Sequence, residues 1–133
     1  MLQTIISLPL RQALLLDAVV TGATALLLAG GARLLAEPLG LPEPLLRGAG
    51  LILVPFVALV SWVAYREPLP AGAVRTVIAC NVLWVAASVL LLLSGHVAPT
   101  PAGYLLVGAQ AVVVGLFAEL QIIALRRIQA IEA

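Results

Sequence analysis

Apolar residues dominate the chain in four long runs, separated by three short segments in which proline, glycine and charged residues gather. The first run covers about residues 13–35, the second 45–65, the third 74–93 and the fourth 103–127. Each matches the roughly 20 residues that an α-helix needs to cross a bilayer core. The segment 37–47 (EPLGLPEPLLR) carries three prolines and a glycine, 66–75 (REPLPAGAVR) two prolines and a glycine, and 94–102 (SGHVAPTPA) two prolines and a glycine, so each reads as a tight link. Pro55 falls within the second run and predicts a kink there. Residues 1–10, interrupted by Pro9, read as a short irregular or amphipathic lead-in at the membrane interface. Four spans with three short links predict an all-α protein, one transmembrane domain over residues 1–133, folded as an up-down-up-down four-helix bundle.

Composition sharpens this reading. With 63% hydrophobic and 10% charged residues the chain lies outside soluble globular proteins, where charge makes up about a quarter. A secretory signal peptide competes for the first run, with Arg11 as its charged region and residues 30–32 as a cleavage site, but the apolar stretch exceeds the usual 7–15 or so residues. Arg11, Arg66, Arg75, Arg126 and Arg127 fall on one side of such a bundle, and Arg33 and Arg47 on the other. That asymmetry places both termini in the cytoplasm. Seven arginines without a lysine fit a bacterial inner-membrane protein from a GC-rich genome. The net charge of +1 and the lack of a basic run argue against nucleic acid as a partner.

Polar residues inside the spans carry the candidate chemistry, because hydrocarbon offers them no water. Asp17 lies six residues beyond Arg11, Asn81 six beyond Arg75, Ser61 five before Arg66 and Glu119 seven before Arg126. At about 1.5 Å per residue each sits roughly 8–11 Å inside the same end of the bundle. Two readings follow. In one, Asn81 and Ser61 hydrogen-bond a desolvated acid and act as an interhelical staple. In the other, Asp17, Asn81, Trp84 and Glu119 form a ligand- or proton-binding site around a pair of acids. Small residues at helical spacing, Gly22 in the first span and Gly108 and Gly115 in the fourth, mark close helix contacts. Gln110 and Gln121 share a face about 180° from Glu119, which predicts that Gln110 meets another protomer or a different membrane protein.

The runs LLLDAVVTG, GLPEPLLRGAGLILVPF, NVLWVAASVLLLLSG, PTPAGYLLVGAQA and FAELQ, spread from Arg11 to Arg127, resemble a group of small four-helix bacterial inner-membrane proteins to which no activity is attached. The resemblance implies the same fold and location and brings no catalytic residues.

Other motifs are sparse. His96 is a lone histidine in an outer link and Cys80 a lone cysteine within the third run, so no metal site, disulfide or thiol-redox pair is expected. Trp62 is placed as an interface anchor. No phosphate loop or nucleophile triad occurs, and neither an enzyme nor a cofactor is expected. The expected role is a structural or accessory oligomeric bundle that binds lipid or membrane partners. The alternative is a small transporter or small-molecule-binding protein that uses a protonatable Asp17 and Glu119 pair.

Overall fold

The computed structural model describes residues 2–132 of the backbone and side chains from Leu8 onward. Four helices fill it in the order α1 (Leu2–Leu39), α2 (Glu43–Ala64), α3 (Ala71–Leu93) and α4 (Pro101–Glu132), with no strand among the described residues. All four are long and apolar enough to cross a membrane.

The helices overrun the expected bounds. Residues from Leu2 onward belong to α1 and no irregular lead-in separates them from it; the helix passes Pro9, and Leu10 is fully buried. A proline removes only its own N–H and strains the preceding turn. Burial of Leu10 and Leu14 beside Val63, Val74 and Ile128 offsets that cost. What was expected of the side chains before Leu8 lies outside the described residues. Pro38 and Pro44 also sit within helices, and Pro55 lies inside an uninterrupted α2.

The first link shrinks to residues 40–42 because Gly40, with φ at 65°, ends α1. Its N–H bonds Glu37 O and that of Leu41 bonds Ala36 O, which is the Schellman arrangement. The third link is pinned to the same place: Thr100 donates through its N–H to Leu39 O at 3.1 Å and through its hydroxyl to Pro38 O at 2.6 Å. The Thr100 hydroxyl also accepts the Gly103 N–H and so caps α4, with Pro101 as the first helical residue. At the opposite end the Arg11 guanidinium donates to the carbonyls of Ala64 and Arg66, just where α2 has no further N–H to offer, and pairs with Glu67 at 3.2 Å. Arg66 in turn lies 4.5 Å over the Trp62 ring.

In cross-section α1 packs along both α2 and α4, and α3 packs along α4, whereas α2 and α3 meet over few residues. Two apolar clusters result. One joins Leu10, Leu14, Val60, Val63, Val74, Val77, Leu125 and Ile128 near Arg11; the other joins Ala25, Leu28, Ala32, Leu39, Leu41, Leu46 and Leu53 at the far end. α2 and α3 are therefore held together beside their short link and part beyond it.

At two glycines another helix's backbone comes too close for any side chain. A Cβ on Gly50 would fall 2.4 Å from Ala29 N, and one on Gly103 2.1 Å from Leu39 O. Gly108, by contrast, faces open space. Gly50→Ala and Gly103→Ala are expected to cost about 1–3 kcal/mol through forced separation of backbones. Gly108→Ala should be neutral or stabilise by up to about 1 kcal/mol. Detergent-induced unfolding of the purified variants checks both.

Candidate functional site

The two apolar clusters are separated by a layer of buried polar side chains. Asp17 is completely buried, one helical turn before Thr21 on α1, and its carboxyl is met from three sides. Thr21 Oγ1 donates to Oδ1 at 2.9 Å, while Asn81 Nδ2 of α3 and Gln121 Nε2 of α4 both donate to Oδ2 at 2.8 Å. Asn81 Nδ2 donates also to Gln121 Oε1 at 3.1 Å, which closes a ring of three side chains from three helices. The chain leaves no fully buried side-chain N or O without a partner among the described residues. The ring thus binds α3 to α1 across the bundle, although their backbones do not pack against each other.

A second network lies further along α3 and α4. Trp84 Nε1 donates to Gln110 Oε1 at 2.8 Å, Gln110 Nε2 donates to Ser88 Oγ at 3.0 Å and to Val107 O at 2.8 Å, and the Ser88 hydroxyl donates back to Trp84 O at 2.8 Å. Gln110 and Gln121 of α4 therefore both face inward.

Those two glutamines and Glu119 correct the sequence reading. Gln110 turns to Trp84 and Ser88 of its own bundle rather than to another protomer, and Gln121 lies in the core. Glu119 is exposed and has no hydrogen-bond or ion-pair partner among the described residues, so it does not join Asp17. Ser61, half-buried on α2, makes no side-chain bond to the acid either. The reason is angular. Glu119 and Gln121 are about 200° apart on a helix, so only one can face Asp17. A neutral amide supplies a donor, whereas a second carboxylate would bring an acceptor and a like charge. Equal depth located the layer but could not choose between them.

Of the small residues, Gly22 faces Val57 of α2 and Gly115 faces Val85 of α3, each with room for a Cβ at ordinary van der Waals distance. Gly115 also lines a shallow outer groove of about 390 Å³ between α3 and α4, with Val82, Ala86, Ala118, Ile122 and Glu119. His96 is exposed on its link, and no group of three metal-binding side chains occurs among the described residues.

Beside the polar layer, where α2 and α3 part, lies a cavity of about 560 Å³. Its walls are mostly apolar and come from all four helices, with Leu53, Phe56 and Val114 among them. Ile52 and Leu83, both well exposed, stand at its rim. Its polar wall consists of Thr21, Thr24, Asn81, Trp84 and Gln110, and Cys80 borders it. Trp84 and Asn81, two of the residues singled out in the sequence, thus line one cavity, with Asp17 directly behind Asn81 and Thr21. A site around Asp17, Asn81, Trp84 and Glu119 was expected; the cavity takes in Asn81 and Trp84 and leaves out Glu119, and it arises from the parting of α2 and α3 rather than from a motif.

Comparison of the chain with protein-family models, with curated proteins and with solved structures yields no match. The function must be argued from the geometry.

Gln121→Leu removes a donor from a fully buried carboxyl and is expected to cost about 1–3 kcal/mol. Glu119→Gln should stay within about 0.5 kcal/mol of the parent, as for other exposed positions without partners. Unfolding midpoints in mixed micelles of graded detergent content distinguish the two positions.

Proposed function

We propose that the protein is a multi-pass membrane protein that binds a small, mainly apolar molecule in the cavity between α2 and α3. The observation that carries this reading is the cavity itself. At about 560 Å³ it falls within the size range of ligand sites, and it combines apolar walls with a few converging polar groups. Its rim lies between two helices of membrane-spanning length, so a molecule dissolved in lipid reaches it sideways without crossing the polar ends of the bundle. Asp17 acts here through the ring that fixes Asn81, and not as one of a pair of acids.

The surrounding assignments follow from charge. Arg11 and Arg66 meet at one end of the bundle, and Val74, Leu125 and Ile128, neighbours in sequence of Arg75, Arg126 and Arg127, pack into the apolar cluster of that end. Five arginines there, with Arg33 and Arg47 at the other end, support an up-down-up-down bundle with both termini in the cytoplasm. Trp62 and Tyr65, both exposed beside Arg66, suit the headgroup region of that side. The arginine-only composition fits a bacterial inner membrane.

A second reading, an accessory protein or homo-oligomer that docks on membrane partners, is favoured by one feature. Glu119 stands exposed and, among the described residues, unpartnered in the outer groove of α3 and α4, beside small residues that admit a close approach.

Native mass spectrometry of the protein released gently from its membrane separates the readings. The ligand-binding reading predicts a reproducible added mass of small-molecule size, which Ala87→Phe, placed on the cavity wall, removes. A bare oligomer or a complex with a second protein, unchanged by Ala87→Phe, would favour the accessory reading and contradict the first.

A further inference from the structure

The hydrogens on the polar wall of the cavity are already spent. Asn81 commits both amide hydrogens, to Asp17 Oδ2 and Gln121 Oε1. Gln110 commits both of its own, to Ser88 Oγ and Val107 O. The Trp84 N–H goes to Gln110, the Thr21 hydroxyl to Asp17 and the Thr24 hydroxyl to Val20 O at 2.8 Å. Apart from the weak S–H of Cys80, no polar side chain facing the cavity keeps a free hydrogen, and the oxygens of Thr21, Thr24, Asn81 and Gln110 retain lone pairs.

The foremost of these lone pairs belongs to Asn81. Its Nδ2 is held by two acceptors, so a turned-over amide would set carbonyl oxygen against carboxyl oxygen, and the observed orientation is the one the ring requires. Oδ1 must then point away from the ring. It accepts no hydrogen bond among the described residues, on a side chain that is 2% exposed and lines the cavity. Since no fully buried side-chain oxygen is without a partner among the described residues, Oδ1 keeps some accessible surface, and the cavity is the space that its side chain lines.

We infer that the cavity selects a lipophilic amine: an apolar body with a protonated amino head directed at Asn81 Oδ1. The inference rests on the ligand-binding reading above and narrows it. An ammonium head only donates, and so complements a wall that only accepts. Asp17, bonded to Thr21, Asn81 and Gln121 and to no arginine, stands behind that wall as the nearest acidic group. A carboxylate or phosphodiester head would find no hydrogen here to accept, which argues against fatty acids and phospholipids as occupants.

Cys80, the one cysteine of the chain, borders the cavity and reports its occupancy. The protein is reconstituted in phosphatidylcholine vesicles, whose headgroup carries no N–H. Alkylation of Cys80 by N-ethylmaleimide is followed by intact-mass spectrometry in the presence of dodecylamine, methyl dodecanoate or dodecanoate. Dodecylamine is expected to protect Cys80 at a concentration roughly tenfold lower than either of the others, the equivalent of one hydrogen bond to a buried acceptor. Asn81→Leu should abolish that preference. Equal protection by all three would overturn the inference and leave the ligand-binding reading standing. Ready alkylation with no protection by any of them, or a Cys80 that resists alkylation in the empty protein, would overturn both. If Asn81→Leu fails to fold, the comparison of the three molecules on the unaltered protein still decides.

Discussion

A carboxyl group with no access to water must find hydrogen-bond donors inside the protein, and in this chain that requirement falls on Asp17. The donors come from three places: Thr21 one turn along the same helix, Asn81 on α3 and Gln121 on α4. Apolar packing alone does not fix how helices sit against one another in lipid, because lipid tails offer equivalent contacts. The amide ring does fix it. It sets the register of three helices at one level, and the apolar clusters on either side then pack around it.

The same constraint gives the cavity its chemistry. α2 contributes nothing to the ring; it is held to α1 instead by the close approach of Gly50 to Ala25 and Ala29 and by the Arg11 contacts at its end. With α3 drawn toward α1 and α4, and α2 drawn along α1, α2 and α3 part beyond their link. The space between them is bounded by side chains whose hydrogens the two polar networks have used. Structure and candidate selectivity therefore trace to one cause: satisfying Asp17 turns the Asn81 carbonyl outward.

Much of the fold was legible. Four apolar runs with proline-bearing links led to four helices, whereas the closest backbone approach at a glycine in the interior of these helices falls at Gly50 and not at Gly22 or Gly108. Helix ends were less legible, because a proline weakens a helix by an amount that burial of neighbours such as Leu10 offsets. The polar layer was half legible. Depth along the helices brought Asp17 and Asn81 together, but rotation about α4 is set by which face packs, and there the choice of Gln121 over Glu119 depends on donor chemistry that spacing does not encode. Trp84 was found as a candidate, whereas its partner Gln110 was assigned to the wrong surface, since a helix that is polar on two sides does not say which side is inner.

If Asp17 and Asn81 act as one unit, a double-mutant cycle reveals their coupling. Unfolding free energies are measured for the parent, Asp17→Leu, Asn81→Leu and the pair together, in the same micelles. The double replacement is expected to cost less than the two single ones combined, by about 0.5–3 kcal/mol, because removing both partners leaves neither unsatisfied. Costs that simply add, to within about 0.3–0.5 kcal/mol, would mean that the two side chains do not depend on each other. The ring could then not be what organises the bundle.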